Sequence, residues 1–265
     1  MHILAVANQK GGVGKSTIAT NLAMALALTG VRVLVVDADY QANSTAALEI
    51  TPDPRHTLSA WLPEYASHPT VHPHPRVANL AVLPAFITMA DDEWELDPKV
   101  VAPQRIAERL RSTYAPKYDW MIIDCPPALA SFWARVSLLT AQRVLIPITP
   151  GPFSLIGFRQ LVNRIDYIRH HALNPQLRIL GVVANMVDPR TVFGRDIHAL
   201  LATIVAESWI LRTEIPLAAS LVNAQGRGRT ILDDDPHSRA AFAFVALLKE
   251  VWERWDDPNA ALSTS

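Results

Sequence analysis

A glycine-rich stretch that follows the first apolar segment constrains this chain more than any other feature. Residues 3–7 predict a short buried β-strand, and residues 17–27, rich in Ala and Leu, predict a helix. Between them lies Asn-Gln-Lys-Gly-Gly-Val-Gly-Lys-Ser at 8–16. Glycines let backbone amides converge on phosphate oxygens, and the N-terminus of a helix adds positive potential at the same point. The stretch therefore predicts a phosphate-binding loop, with a glycine turn that binds no ligand as the alternative.

The two lysines of this loop differ in their place in the pattern. Lys15 is expected to reach the β- and γ-phosphates of a nucleotide, and the Ser16 hydroxyl is expected to ligate Mg²⁺. The strict pattern has glycine six residues before the lysine, where this chain has Gln9, and a second lysine, Lys10, precedes the paired glycines. The predicted nucleotide-binding residues of the loop are Gly11, Gly12, Val13, Gly14, Lys15, Ser16 and Thr17.

Three aspartates end predicted strands near this loop. Asp124 closes the apolar run 120–123 and is suited to hold Mg²⁺ through a water molecule. Asp37 and Asp39 follow the run 31–36, and their spacing of two lets both side chains point the same way in a strand. A surface helix cap is the alternative for one of them. The predicted metal site consists of Ser16, Asp37, Asp39 and Asp124.

Predicted strands and helices alternate to the end of the chain. Further strands are expected at 79–84, 142–148, 177–185 and 209–215, and helices at 98–111, 128–140, 154–171, 195–207 and 236–255. The residues of the last helix that are expected to face the core are Phe242, Val245, Leu248, Val251 and Trp252. Strand–helix–strand crossovers imply parallel pairing. The predicted fold class is α/β, a doubly wound, mostly parallel sheet with helices on both faces, in one domain over 1–255 with a disordered tail at 256–265.

Composition excludes several classes of protein. No apolar run reaches the ~18–20 residues that span a bilayer, and Met1 leads directly into the first strand, so we expect no signal peptide. The single cysteine, Cys125, excludes a disulfide framework and fits a reducing cytoplasm. Because the net charge is −1, any nucleic-acid binding requires a local basic patch. Three histidines, at 68, 72 and 74, lie in the proline-rich segment 46–79, where we expect an exposed loop rather than a metal site.

Several stretches of the chain resemble the ParA/MinD family of ATPases. Residues 10–17, 37–43 and 119–127 are similar, in order and spacing, to the deviant Walker A loop and the two switches of that family. Residues 214–216, 224–226 and 235–241 resemble its C-terminal third, so the resemblance covers nearly the whole chain. The chain resembles the short ParA members, which partition plasmids and chromosomes.

The resemblance implies ATP and Mg²⁺ as cofactors and slow ATP hydrolysis. It implies that Lys10 reaches across a nucleotide-sandwich dimer and that Asp39 positions the attacking water, with Asp124 in the Walker B role and Asp37 nearer the metal shell. The implied catalytic residues are Lys10, Lys15, Asp39 and Asp124. The implied adenine contacts are Asn185, at the end of a late strand, and Pro216.

The resemblance also implies partners. We expect a homodimer in the ATP state, non-specific DNA, a ParB-like or cargo-adaptor protein that stimulates hydrolysis, no membrane, and a cytoplasmic, nucleoid-associated location. Two positions depart from the family: Tyr40 replaces a proline, and the loop 217–221 lacks the arginines of DNA-binding relatives. The candidate DNA-binding residues are Arg190, Arg195, Arg212, Arg227 and Arg229, with scattered surface arginines as the alternative.

The sequence also allows two other functions. A MinD-like membrane switch requires a basic amphipathic C-terminal helix, whereas the last helix here is followed by Asp256-Asp257-Pro258. A metabolic ATP-dependent ligase on the same fold requires a substrate pocket facing the γ-phosphate, and the sequence specifies no residue set for one.

Overall fold

Parallel strands organise the protein. The computed structural model describes residues 1–62, 68–96, 101–150 and 154–256. The strands are β1 (His2–Val6), β2 (Val33–Asp37), β3 (His72–Pro73), β4 (Leu80–Leu83), β5 (Trp120–Asp124), β6 (Arg143–Ile148), β7 (Arg178–Val187) and β8 (Ile210–Pro216). Within the described residues they form one sheet in the order β3-β4-β2-β5-β1-β6-β7-β8, parallel except for β3.

Helices connect these strands. They are α1 (Lys15–Leu28), α2 (Asn43–Ala47), α3 (Met89–Glu95), α4 (Pro103–Tyr114), α5 (Phe132–Thr140), α6 (Ser154–His170), α7 (Val192–Arg195), α8 (Ile197–Ala202), α9 (Ala219–Gly226), α10 (Ile231–Asp234) and α11 (Arg239–Asp256). Short 3₁₀ helices lie at Pro54–His56, Leu58–Trp61 and Glu207–Trp209.

The sheet is covered on both faces, because its strands are buried on both sides. Ile3 and Ala5 of β1 pack in a cluster with residues of α4, α5 and α6, whereas Leu4 and Val6 pack in a second cluster with α1 and α11. This alternation confirms the predicted α/β class, a doubly wound sheet with helices on both faces.

The strand order places one set of loops together. β1 lies between β5 and β6, and β5 pairs with β2 so that Asp37 is directly opposite Asp124. The C-terminal ends of β1, β2 and β5 therefore lie together at one edge of the sheet. This is the edge at which open parallel sheets bind ligands.

Some helix predictions are wrong in their limits. The helix predicted at 195–207 is instead α7, α8 and a 3₁₀ turn. Thr191 Oγ1 accepts a hydrogen bond from Gly194 N, so α7 begins earlier, and Asp196 leaves helical geometry and separates it from α8. The helix predicted at 98–111 runs over α4, with Pro103 in its first turn, where proline is favoured; residues 97–100 lie outside the described residues.

The prediction for the face of the last helix is also wrong in part. Val251 and Leu248 are buried, but Phe242 is 61% exposed, Val245 52% and Trp252 40%. The larger buried residues of α11 include Phe244 and Leu247. An amphipathic pattern with bulky residues on two adjoining faces does not identify which face meets the sheet. Asp256, predicted in the tail, ends this helix, and residues 257–265 lie outside the described residues.

The described residues of segment 46–79 are not all exposed loop, and residues 63–67 lie outside the described residues. Its His74 is buried, and His74 Nδ1 accepts hydrogen bonds from the backbone N–H groups of Arg76 and Val77. In the parts of the chain that the structure describes, no group of three His, Cys, Asp or Glu side chains is arranged to hold a metal ion. The described helices also include none that combines the length and apolar character needed to cross a membrane.

Candidate nucleotide site

The glycine loop after β1 is fixed to the sheet by a buried asparagine. Asn8 Nδ2 donates to the carbonyl of Pro147 at 2.7 Å, and Asn8 Oδ1 accepts from the backbone N–H of Lys10 at 3.0 Å. Because Pro147 belongs to β6, the start of the loop is tied to the neighbouring strand. The sequence motif did not assign this role to Asn8.

Two glycines give the loop its shape. Gly12 and Gly14 have φ values of +72° and +82°, a region that favours glycine. Asn185, at the end of β7, donates from Nδ2 to the carbonyl of Val13 at 2.7 Å. A Cβ on Gly14 would lie 2.2 Å from that nitrogen. The loop therefore fits under Asn185 only with glycine at position 14.

Both lysines belong to the loop. Lys15 is buried, and its Nζ lies 3.4 Å from the carbonyl oxygen of Lys10. Lys10 is half-buried and is followed by the exposed Gly11 and Gly12 at the mouth of the site. The Lys15 ammonium is thus held inside the loop, while Lys10 lies at its rim.

Two buried carboxylates meet beneath the loop. Asp124 Oδ2 accepts a 2.7 Å hydrogen bond from Ser44 Oγ. Asp37 Oδ2 accepts from both the N–H and the hydroxyl of Thr45, each at 2.8 Å. Ser44 and Thr45 begin α2, so this short helix is held onto the strand ends by side-chain bonds to the two aspartates.

The electrostatics of this pair favour a cation. Burial and then the Asp124 charge raise the pKa of Asp37. Burial also raises the pKa of Asp124, against the opposing effect of the Ser16 and Ser44 hydroxyls. Two such carboxylates disfavour each other's ionised form, and a nearby divalent cation removes that penalty.

Two side chains at this edge of the sheet are suited to ligate Mg²⁺. Asp124 Oδ1 is buried and lacks a hydrogen-bond partner among the described residues, and Ser16 is near enough to lower the pKa of the same carboxyl group. A hydroxyl and a carboxylate oxygen are the hard ligands that Mg²⁺ takes alongside water and phosphate. Ser16 and Asp124 therefore fit the ion, whereas both Asp37 oxygens already accept hydrogen bonds.

Asp39 lies on the opposite wall of the same pocket. It is buried, lines the cavity beside Lys15, and its Oδ1 accepts from Gln41 N at 3.0 Å. Its carboxylate is positioned by the turn after β2. Orientation of the attacking water by Asp39 stays a prediction.

Other pocket residues come from distant parts of the chain. The cavity is lined by Gly11, Gly12, Gly14, Lys15, Ser16, Thr17, Asp39, Gln41, Asn43, Ala46, Ala47, Pro127, Met186 and Gln225. Gln225 of α9 donates a short hydrogen bond from Nε2 to Thr17 Oγ1, across 208 residues. Met186, just after Asn185, has a left-handed backbone with φ of +56°. Gln41, Asn43 and Gln225 lie in stretches that resemble the family, whereas no sequence motif pointed to Met186.

Comparisons with known proteins agree with this geometry. Residues 1–179 match the AAA_31 family, described as an AAA domain. The sporulation initiation inhibitor protein Soj of Bacillus subtilis is 37% identical over 251 residues, which cover 94% of this chain and 97% of Soj. The chromosome partitioning protein ParA of Caulobacter vibrioides is 33% identical over 266 residues, covering 98% and 97% of the two chains. Cobyrinic acid a,c-diamide synthase from Mycobacterium smegmatis, solved with a bound ATP analog and magnesium, superposes with a TM-score of 0.74 at 26% identity, covering 100% of both chains.

The chain belongs to the ParA/MinD family of P-loop ATPases. It is an ATPase whose cofactors are ATP and Mg²⁺. The pocket lining includes the predicted residues Gly11, Gly12, Gly14, Lys15, Ser16, Thr17 and Asp39. The roles assigned to these residues, and to Lys10, Val13 and Asp124, stay predictions.

The predicted adenine contacts lie at the edge of this site. Asn185 uses its amide to hold Val13, and the residue after it, Met186, lines the cavity. Pro216 is buried at the end of β8, opposite Val187, and Leu217 N donates to the Val187 carbonyl at 3.0 Å. Contacts of Asn185 and Pro216 with adenine remain predictions.

The predicted DNA-binding arginines are dispersed and mostly paired. Arg212 lies on β8 against Glu250 and Glu253 of α11. The other ion pairs are Arg190–Asp188, Arg227–Asp234 and Arg229–Glu49. Arg195 is exposed at the end of α7. The carboxylates offset most of the positive charge that these guanidinium groups carry.

Changing Gly14 to Ala tests the close approach of Asn185. The left-handed backbone and the overlap with the Asn185 amide each oppose a side chain, and strain at positive φ alone costs about 1–3 kcal/mol. We expect ADP affinity, measured by calorimetry with Mg²⁺, to fall by at least about 100-fold. Gly30→Ala is the matched control, because φ there is +97° but nothing lies within 4 Å of the added Cβ. Equal losses of affinity in both variants would show that strain, not Asn185, is responsible.

Proposed function

We propose that the protein is an ATP-dependent dimerising switch that positions DNA or protein cargo. The observation that carries the proposal is the second lysine, Lys10, at the rim of a loop whose phosphate-binding lysine, Lys15, is already inside it. A single lysine is enough to bind the phosphates of one nucleotide. Lys10 therefore serves the nucleotide of a second copy of the chain.

Hydrolysis depends on residues that the site already holds in place. Lys15 and the loop amides bind the phosphates, and Asp39 orients the attacking water. Mg²⁺, held by Ser16 and Asp124, neutralises charge on the phosphate oxygens when bound. Turnover is slow, well below the ~10 s⁻¹ typical of enzymes, because a stimulating partner completes the site.

Partner and cargo are proposed from the relatives. Their names include chromosome partitioning protein ParA and Soj, a sporulation initiation inhibitor. We infer that this chain acts in the cytoplasm on the nucleoid, with a ParB-like or cargo-adaptor protein that stimulates ATP hydrolysis. The exposed residues Val245 and Trp252 of α11 lie on one surface with Lys249, Glu253 and Asp256, and Lys249 is paired with Glu253. This surface carries no excess of positive charge, which disfavours anionic lipid as the partner.

The dimer is tested by replacing Lys10 in a hydrolysis-deficient background. Asp39→Ala should bind ATP without hydrolysing it, and light scattering should show a dimer with Mg–ATP and a monomer with Mg–ADP. Adding Lys10→Ala should leave ATP affinity within about threefold but abolish the dimer, because the cross-subunit charge contact is lost.

Lys117→Ala is the control for loss of a lysine, since Lys117 lies near Tyr114 at the end of α4. It should leave the ATP-dependent dimer intact. A dimer that persists without Lys10, or forms equally with ADP, contradicts the sandwich arrangement.

DNA binding is proposed for the ATP dimer. Near-zero net charge and paired arginines disfavour binding by the monomer, but a dimer doubles the number of phosphate contacts, and their effects add up. Arg190 is the most informative position, because its side chain is 86% exposed. Binding should be indifferent to sequence and weaken strongly with salt.

Arg190→Glu should weaken binding of the ATP-locked dimer to duplex DNA. It should also reduce the slope of log affinity against log salt concentration by the contribution of about one phosphate contact per subunit. ATP turnover without DNA should be unchanged. Arg55→Glu is the matched control, since Arg55 is likewise exposed and paired with an aspartate two residues earlier. Fluorescence anisotropy at several salt concentrations measures both. An ATP-locked dimer that ignores DNA at low salt would rule out the nucleoid as the scaffold.

A further inference from the structure

A cleft lies at the amino ends of the strands, the edge of the sheet opposite the nucleotide site. Its lining includes His2 of β1, Arg143 of β6, Arg178 of β7 and Trp255 of α11. Gln142 and Gln176 complete the polar part of the wall. The cleft has a volume of about 610 Å³, which is within the range of small-molecule sites.

Two arginines line this cleft side by side and form no ion pair among the described residues. Arg143 and Arg178 are directly opposite in the β6–β7 register, where like charges destabilise a sheet. Their guanidinium groups donate to carbonyl oxygens: Arg178 to Pro175 at 2.6 Å and Arg143 to Gln142 at 3.3 Å. Neither arginine forms an ion pair within residues 1–62, 68–96, 101–150 and 154–256.

Two carboxylates of the described residues, Asp119 and Asp256, act on His2 of this cleft, but neither forms an ion pair with Arg143 or Arg178. Burial, and then the Arg178 charge, lower the pKa of Arg143, and burial followed by the Arg169 charge lowers the pKa of Arg178. Nearby Asp119 is already bound by Arg32 at 2.8 Å. The two guanidinium groups therefore lie in an environment that penalises their charge, and the described residues give them no ion-pair partner.

Aromatic residues hold one side of the cleft rigid. The Arg143 guanidinium lies 5.6 Å from the centre of the Trp255 ring, and Trp255 packs at 4.7 Å against Trp120 and at 4.9 Å against His2. Burial lowers the pKa of His2, so at neutral pH its ring is a neutral hydrogen-bonding group. The side chain of Gln142 is fixed as well, because its Oε1 accepts from Ile3 N at 3.0 Å.

We propose that this cleft, which we call the amino-edge cleft, binds a phosphate group between Arg143 and Arg178. Guanidinium groups match phosphate oxygens with two parallel hydrogen bonds, and a bound dianion removes the repulsion between the two arginines. The phosphate belongs either to a small phosphorylated ligand or to a DNA backbone. The site is independent of the nucleotide loop, which lies at the other edge of the sheet.

Inorganic phosphate is the probe, added to protein saturated with Mg²⁺ and a non-hydrolysable ATP analogue so that the β- and γ-phosphate positions of the nucleotide loop are both filled. Calorimetry should show one phosphate bound per chain in the wild type. Arg178→Gln and Arg143→Gln should each weaken that binding by at least about tenfold. Arg178→Lys, which keeps the charge and loses the fork, should have an intermediate affinity, and it replaces Arg178→Gln if that variant does not fold.

Arg55→Gln is the control, because Arg55 is exposed and already paired with Asp53. It should bind phosphate as the wild type does. The source of the phosphate is decided by repeating the series with duplex DNA: a parallel loss of DNA affinity identifies the backbone, and unchanged DNA affinity identifies a small ligand. Absence of phosphate binding in the wild type, or equal binding in the arginine variants, would overturn the proposal, and neither result bears on the ATP dimer.

Discussion

Two buried amide side chains hold the phosphate loop in its binding shape, and the rest of the site depends on them. Asn8 ties the start of the loop to β6, and Asn185 ties Val13 to β7. Because the loop amides are fixed before a ligand binds, the loop loses little conformational entropy on binding, and less of the binding free energy is spent on ordering it. The strand order makes this possible, since β1 lies beside β6 and close to β7.

The same strand order forces Asp37 and Asp124 together. Two buried carboxylates in direct register are unfavourable unless hydrogen bonds or a cation compensate them. Thr45 and Ser44 provide the hydrogen bonds, and both belong to the start of α2. In the switch that we propose, occupation of the metal site is coupled to the helix that follows Asp39 through the hydrogen bond from Ser44 to Asp124. Binding of the ion and its phosphates would then change the contacts of this helix.

The sequence identified those parts of the site that are continuous in the chain. The loop, the strand-end aspartates and the alternation of strands and helices follow from local pattern, and the structure brings them together as expected. Gln225 and Met186 reach the pocket through long-range packing, which local pattern does not encode. The outward-facing Phe242 was misassigned because hydrophobicity alone predicts burial. Ion pairing of the surface arginines likewise depends on neighbours that are distant in sequence, as for Arg212 and Glu250.

We propose that Lys10 acts on the nucleotide of a second chain, and a crystal structure of the Asp39→Ala protein with ATP and Mg²⁺ tests this directly. We expect two chains face to face, with each Lys10 ammonium about 3 Å from a phosphate oxygen on its partner's nucleotide. A monomer with ATP bound, in which Lys10 contacts the nucleotide of its own chain, would contradict this proposal.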